Sequence, residues 1–280
     1  MPYVATAGAR IAYLIEGAGP TIVFLHGTAS TAAQWAAIRA PFAGDFATVA
    51  VDLHGYGDSD PWTAERRIEL ADEASAVAAV LQRVAGPVHL VGHSYGGAVA
   101  LKLALTGREP LASLTLIEPA SFHLLSDVHP ADAAALAEIT AVADAVTNLR
   151  PEEGLPTFVD YWNGAGTWAG LSAGRRAGLC RLAGTIAMNF RTARTEPARL
   201  EDCTRLRVPT LVLTGERSTR AAKWISARLA AALPRHLART VEGAGHMLPR
   251  THPETVIHAI AAHVAPIAGV EAPARRLLAA

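Results

Sequence analysis

The stretch Leu90-Val91-Gly92-His93-Ser94-Tyr95-Gly96-Gly97 places a serine between two glycines directly after an apolar run, Val88 to Val91. That run reads as a buried strand, and the Ala/Leu-rich pattern from Ala98 to Thr106 reads as a helix. A strand that turns at once into a helix holds its apex residue in a sparsely populated backbone conformation, and side chains at the flanking positions collide there. Gly92 and Gly96 remove the collision and leave the Ser94 hydroxyl at the carboxyl end of the strand. The helix N-terminus adds a positive dipole and free N–H groups beside it. Ser94 is therefore a candidate nucleophile. The competing reading, an ordinary Gly-Ser turn before a helix, is weakened by the flanking strand and helix and by a histidine far downstream.

The chain has 280 residues, 51% hydrophobic and 18% charged, with zero formal net charge. The length suits one large α/β domain or a domain carrying an insertion. A neutral balance leaves no electrostatic footprint for nucleic acid or an acidic membrane surface, so the expected partner is a small-molecule substrate. Two cysteines, Cys180 and Cys203, make no disulfide framework and point to a reducing compartment. No basic-then-apolar leader and no long uninterrupted apolar run occurs, so the expected location is cytoplasmic, as a monomer or homodimer. No H-E-x-x-H or equivalent appears, and neither a metal nor another cofactor is expected.

Working outward from the elbow, Tyr3 to Ala7 and Arg10 to Glu16 read as a hairpin around Gly8. Thr21 to Leu25 and Thr48 to Leu53 read as buried strands, with helical character from Thr31 to Phe42 between them. Leu70, Ala74, Val77, Leu81 and Val84 mark one face of a helix. Ser113 to Ile117 is a strand ending at Glu118-Pro119. The last third alternates strand Thr210 to Thr214, helix Arg220 to Leu233, strand Leu237 to Val241 and helix Pro253 to Val264. Such alternation predicts a mostly parallel sheet with helices on both faces. Residues 120–207 break the rhythm. They are helical from Ala131 to Val146 and then carry Phe158, Tyr161, Trp162 and Trp168 among glycines, which is most economically an inserted helical cap. The expected division is a core of 1–119 and 208–267, a cap of 120–207 and a tail of 268–280 with little pattern.

Further signals fall at strand ends, where open α/β sheets place their sites. His26-Gly27-Thr28 lets the Thr28 N–H join the Tyr95 N–H in facing a negative oxygen, as in an oxyanion hole. In the loop Asp52 to Ser59, Asp52 reads as a structural acid bonding loop amides rather than a catalytic one. Gly243-Ala244-Gly245-His246-Met247 puts His246 on a tight loop between the last strand and the last helix, the best context among the 11 histidines for a base acting on Ser94. His89 and His93 read as structural, His252 as a surface residue.

Taken together, His26-Gly27 after a buried strand, the D-x-H-G-x-G-x-S loop at 52–59, the elbow at 92–96 and G-A-G-H at 243–246 resemble the α/β-hydrolase family over almost the whole chain. The resemblance implies the α/β-hydrolase fold and a Ser–acid–His triad in that chain order, with Thr28 and Tyr95 at the oxyanion hole. One element departs from the family pattern. The acid is an Asp three residues after a glycine such as Gly215, where this chain has Ser218, and no aspartate follows Asp202. Glu118, at the strand end where some family members hold the acid, is the preferred candidate. Glu216, in the usual loop but two residues early, is the alternative, and a Ser94–His246 pair without a carboxylate is a third.

The expected activity is that of a serine esterase working through an acyl-enzyme on an apolar or aromatic substrate, with Trp162 and Trp168 as substrate contacts or cap core. Acyl transfer, carbon–carbon hydrolysis and peracid formation use the same groups. A hydrolase-fold small-molecule receptor is the rival from another class.

Overall fold

The computed structural model describes residues 1–6, 8–62, 67–125 and 129–270. Eight strands form one sheet: β1 (Tyr3–Thr6), β2 (Ala9–Glu16), β3 (Thr21–Leu25), β4 (Ala47–Val51), β5 (Val88–His93), β6 (Leu111–Ile117), β7 (Thr210–Gly215) and β8 (His236–Val241). Their spatial order is β1-β2-β4-β3-β5-β6-β7-β8. The β1–β2 hairpin and the β2–β4 pair are antiparallel, and every other pair is parallel. The order reverses at β3, which has β4 on one side and β5 on the other, so the carboxyl ends of β3 and β5 flank the crevice where such sheets bind ligands.

Period-2 alternation sorts the central strands onto two cores. Val23, Leu25, Leu90 and Val212 face one apolar cluster with helices α2 (Leu70–Leu81), α3 (Tyr95–Thr106) and α10 (Arg220–Ala232). Ile22, Phe24, Val91, Leu211 and Leu213 face the other, with α1 (Ala36–Arg39) and α12 (Pro253–Ala268). The helical character expected from Thr31 to Phe42 takes the form of two short 3₁₀ turns around the single turn of α1, with Pro41, which lacks a backbone donor, in the second of them. Helix α12 runs past Pro266 to Ala268 and closes at Gly269 in the left-handed region at φ 69°, while residues 271–280 lie outside the described ones.

Between β6 and β7 run α4 (Pro130–Asn148), α5 (Pro151–Asn163), α6 (Thr167–Gly170), α7 (Ala173–Arg181), α8 (Ala183–Thr195) and α9 (Leu200–Cys203). The sequence reading found only the first of these, because the aromatic and glycine-rich stretch lacks a clean 3.6 period. Gly154 lets α5 approach α4 so closely that a Cβ would overlap the Ala145 carbonyl. Asp132 on α4 accepts hydrogen bonds from Trp224 and Arg228 on α10, and Glu138 pairs with Arg220 at 2.9 Å. These contacts anchor the insertion to the sheet's helical layer. A short α11 (Leu248–Thr251) precedes α12. No helix among the described residues is long and apolar enough to cross a membrane.

The glycines of the elbow are required by close approach. A Cβ on Gly92 would overlap the Gly96 carbonyl, and one on Gly96 would overlap the carbonyls of Leu25 and His26. Gly92→Ala and Gly96→Ala are each expected to cost about 3 kcal/mol or more in urea unfolding, since only backbone could give way. Gly184→Ala, on α8 with open space around it, is expected to be neutral or to stabilise by less than about 1 kcal/mol.

Candidate active site

Ser94 sits between β5 and α3 with φ 52° and ψ −118°, a conformation non-glycine residues rarely adopt. The carbonyl of Ile117 and the Ala120 N–H hold its own backbone N–H and C=O, at 3.0 and 2.9 Å. Its hydroxyl is 3.0 Å from His246 Nε2, and Nδ1 of that ring is 2.6 Å from Glu118 Oε2. The carboxylate can only accept, so Nδ1 carries the hydrogen and the Nε2 lone pair faces Ser94.

Glu118 ends β6 at φ 44° and is 1% exposed. Its Oε1 accepts the Gly215 N–H and its Oε2 accepts the Ser218 hydroxyl, both at 2.6 Å, in addition to the imidazole. Ser218 thus stands where the family pattern has an aspartate and donates to the carboxylate that reaches in from the neighbouring strand. Glu216 is exposed and turned away, its Oε2 accepting the Gly243 N–H at 2.8 Å. It pairs with neither Arg217 nor Arg220, and the structure does not bring it to His246.

Thr28 and Tyr95 both line the cavity above Ser94. Tyr95 is the first residue of α3, so its N–H has no acceptor within the helix. The Thr28 N–H has no acceptor among the described residues, whereas the neighbouring Gly27 N–H donates to Gln34 Oε1 at 3.3 Å. The Thr28 hydroxyl donates to Asn189 Oδ1, which Tyr56 also reaches at 2.7 Å. Asp52 accepts the Ala32 and Asp58 N–H groups and takes no part in the site.

Next to the site, Gln34 escaped the sequence reading and His93 takes a specific structural role. Gln34 Nε2 donates to His93 Nδ1 at 3.1 Å, and His93 Nε2 donates to the His246 carbonyl at 2.9 Å. His93, read from sequence only as structural, therefore holds the His246 backbone from below. The x position of the elbow motif was the available signal for it; Gln34 offered none.

The cavity has a volume of about 960 Å³. Trp162 is part of its wall, with its ring centroid 4.1 Å from that of His246, and Phe122, Phe158 and Phe190 continue the apolar lining. Trp168 is not among the lining residues. It is half-buried against the apolar cluster, and its backbone N–H donates to Asp160 Oδ1 at 2.7 Å, so it belongs to the packing of the insertion. Among the described residues no cluster of His, Cys, Asp and Glu is arranged to hold a metal ion.

The comparisons with known proteins give the family and the fold. A family model described as the alpha/beta hydrolase family matches residues 22–259. A 114-residue stretch is 37% identical to a pimeloyl-[acyl-carrier protein] methyl ester esterase of Aeromonas hydrophila, covering 41% of this chain and 43% of that protein. A 117-residue stretch is 35% identical to the dihydrolipoyllysine-residue acetyltransferase component of the acetoin cleaving system of Cupriavidus necator, covering 41% and 31%. The matches thus span less than half the length of these curated relatives. Among solved structures, an alpha/beta hydrolase from a Medee basin deep-sea metagenome library superposes with a TM-score of 0.77 at 16% identity, covering 94% of this chain and 97% of its own. A thermophilic esterase from Thermogutta terrifontis does so with 0.73 at 22%, covering 95% and 99%. At these identities the likeness is one of fold.

Burial pushes His26 below its ordinary pKa, His93 well below it with help from His246, and His89 down to about 4. For a histidine the neutral form is favoured when water is removed. The folded state therefore refuses protons that the unfolded chain takes up from about pH 6.5 downward. Stability is expected to be full above that pH and to fall as pH drops through 6.5 toward the folded values. The loss is read as a declining urea midpoint between pH 8 and pH 5.

Proposed function

The chain belongs to the alpha/beta hydrolase family, and from that premise we propose that it is a serine hydrolase cleaving a carboxylic ester or related acyl bond through an acyl-enzyme. The observation that carries the reading is the continuous hydrogen-bonded line from Ser94 through His246 to a buried Glu118. In this reading Ser94 Oγ attacks the carbonyl carbon while its proton passes to His246 Nε2. The oxyanion that forms takes the N–H groups of Thr28 and Tyr95, the second reinforced by the N-terminus of α3. Glu118 stabilises the imidazolium and keeps Nδ1 as the donor. The proton on Nε2 then leaves with the alcohol, and water repeats the sequence to free the acid. The esterase name borne by the Aeromonas relative supports an ester as the bond cleaved, and the aromatic cavity wall supports an apolar acyl or alcohol part.

Transfer of the acyl group to an alcohol or thiol instead of water is a second reading, favoured by the stretch shared with the acetyltransferase component. Partition of product between acid and new ester in the presence of an added alcohol separates the two.

A fluorophosphonate probe is expected to label Ser94 alone, and labelling that survives Ser94→Ala would remove the nucleophile assignment. Trp162→Ala is expected to change the ranking of esters by acyl size while keeping that labelling. An unchanged ranking would make the indole a packing residue only.

Glu118→Gln is expected to lower kcat by up to about 10⁴-fold with the fold intact, as seen when a triad carboxylate loses its charge. Ser218→Ala removes one charge-assisted hydrogen bond and is expected to cost roughly 10-fold. Glu216→Gln is expected to cost little. Steady-state kinetics on one ester decides among them, and a larger loss in Glu216→Gln than in Glu118→Gln would move the acid to the loop.

A further inference from the structure

Between Asp160 and Glu196 the chain carries five arginines, Arg175, Arg176, Arg181, Arg191 and Arg194, and no acidic residue, in a protein of zero formal net charge. Two of them, Arg175 and Arg181, lie on α7 and line the cavity above Ser94, and Arg250 on α11 lines it as well. All three are exposed, whereas Phe122, Phe158 and Phe190 on the same cavity wall are buried. The cavity therefore has an apolar interior and a cationic mouth.

Several cations near the insertion are ion-paired, and Arg176, Arg191 and Arg194, in no ion pair among the described residues, do not line the cavity. Arg220 pairs with Glu138, Arg228 with Asp132 and Lys102 with Glu196. No acidic side chain among the described residues pairs with Arg175, Arg181 or Arg250. The nearest approach to a partner is a long 3.4 Å contact from Arg250 Nη2 to Asn163 Oδ1. Solubility alone would account for scattered surface charge, but not for three uncompensated guanidinium groups on the wall of one cavity. Guanidinium presents a planar fork of donors that matches carboxylate and phosphate oxygens.

We infer that the substrate is an ester or thioester with an apolar middle and an anionic group, carboxylate or phosphate, at the end remote from the scissile bond, held at the mouth by Arg175, Arg181 and Arg250. This inference rests on the serine-hydrolase reading for the reaction but not for the binding. A volume of about 960 Å³ lies at the upper end of the range for single small-molecule sites, which leaves room for a chain between Ser94 and the mouth.

The test compares pairs of substrates that share the scissile bond and acyl chain length and differ in the remote anionic group. Methyl octanoate against monomethyl suberate places the charge on the acyl side, and hexanoyl-N-acetylcysteamine against hexanoyl-coenzyme A places it on the leaving side. In at least one pair the anionic member is expected to have about 10-fold higher kcat/KM at low ionic strength. That ratio should shrink in high salt, because exposed charges are screened. It should fall toward one in the Arg175→Gln, Arg181→Gln, Arg250→Gln triple variant, or in the single variants if the triple does not fold by circular dichroism. Ratios at or below one in the parent, or a ratio that survives all the substitutions, overturn the inference.

If the parent turns over no ester at all, the hydrolase reading fails and the binding arm still decides this one. Calorimetry with suberate and with coenzyme A on the Ser94→Ala protein is expected to show binding that the arginine substitutions weaken. No binding of either probe, or binding indifferent to those substitutions, overturns it.

Discussion

The Glu118 carboxylate is the point on which the site depends. It is buried at the end of β6 and accepts from the Gly215 N–H, the Ser218 hydroxyl and His246 Nδ1. A buried charge is tolerated only when its lone pairs are satisfied, so each of the three donors is held in place as firmly as it holds the carboxylate. Those donors come from the end of β7, the loop after it and the loop after β8. One carboxylate thereby draws three adjacent strand ends together and presents the imidazole to Ser94. From the other side, His93 donates to the His246 carbonyl, so ring and backbone are positioned independently.

Strain collects where these contacts concentrate. Ser94 and Glu118 end neighbouring parallel strands, and both have positive φ. Each such residue costs of order 1–3 kcal/mol, and persists because the surroundings over-determine it. The surroundings here are a sheet covered on both faces, with the first turn of α3 so close to the carboxyl ends of β5 and β3 that only glycine fits at 92 and 96. The rigid sheet holds the Ser94–His246–Glu118 line. The helical insertion shapes the space above it, with Trp162 against the imidazole and arginines at the opening. The hydrogen-bonded line and the cavity wall above it are thus set by different parts of the chain.

Much of this was legible from the residues alone wherever the constraint is local. Period-2 runs mark the buried strands, Gly92 and Gly96 mark the elbow, and the absence of an aspartate after Asp202 marks the displaced acid. Signals failed where local pattern and packing part company. Pro266, beyond the expected helix end at Val264, is absorbed by the last turn of α12. The helices after α4 carry a mixed pattern because they pack against one another, the cavity and solvent at once. Trp162 and Trp168 look equivalent in sequence, yet one faces His246 and the other packs away from the cavity.

By itself, then, the sequence determined the fold family, the elbow serine and the loop histidine, since each rests on residues adjacent in the chain whose backbone demands only certain side chains satisfy. Which glutamate meets His246 was decided by the tertiary structure alone. Glu118 is 128 residues from His246 in sequence and 2.6 Å from it in space, whereas Glu216, far nearer along the chain, faces outward to Gly243. The reason is the register of the parallel sheet, which brings the ends of β6 and β7 side by side and so lets a longer side chain from one strand occupy the place that a shorter acid on the next leaves to Ser218.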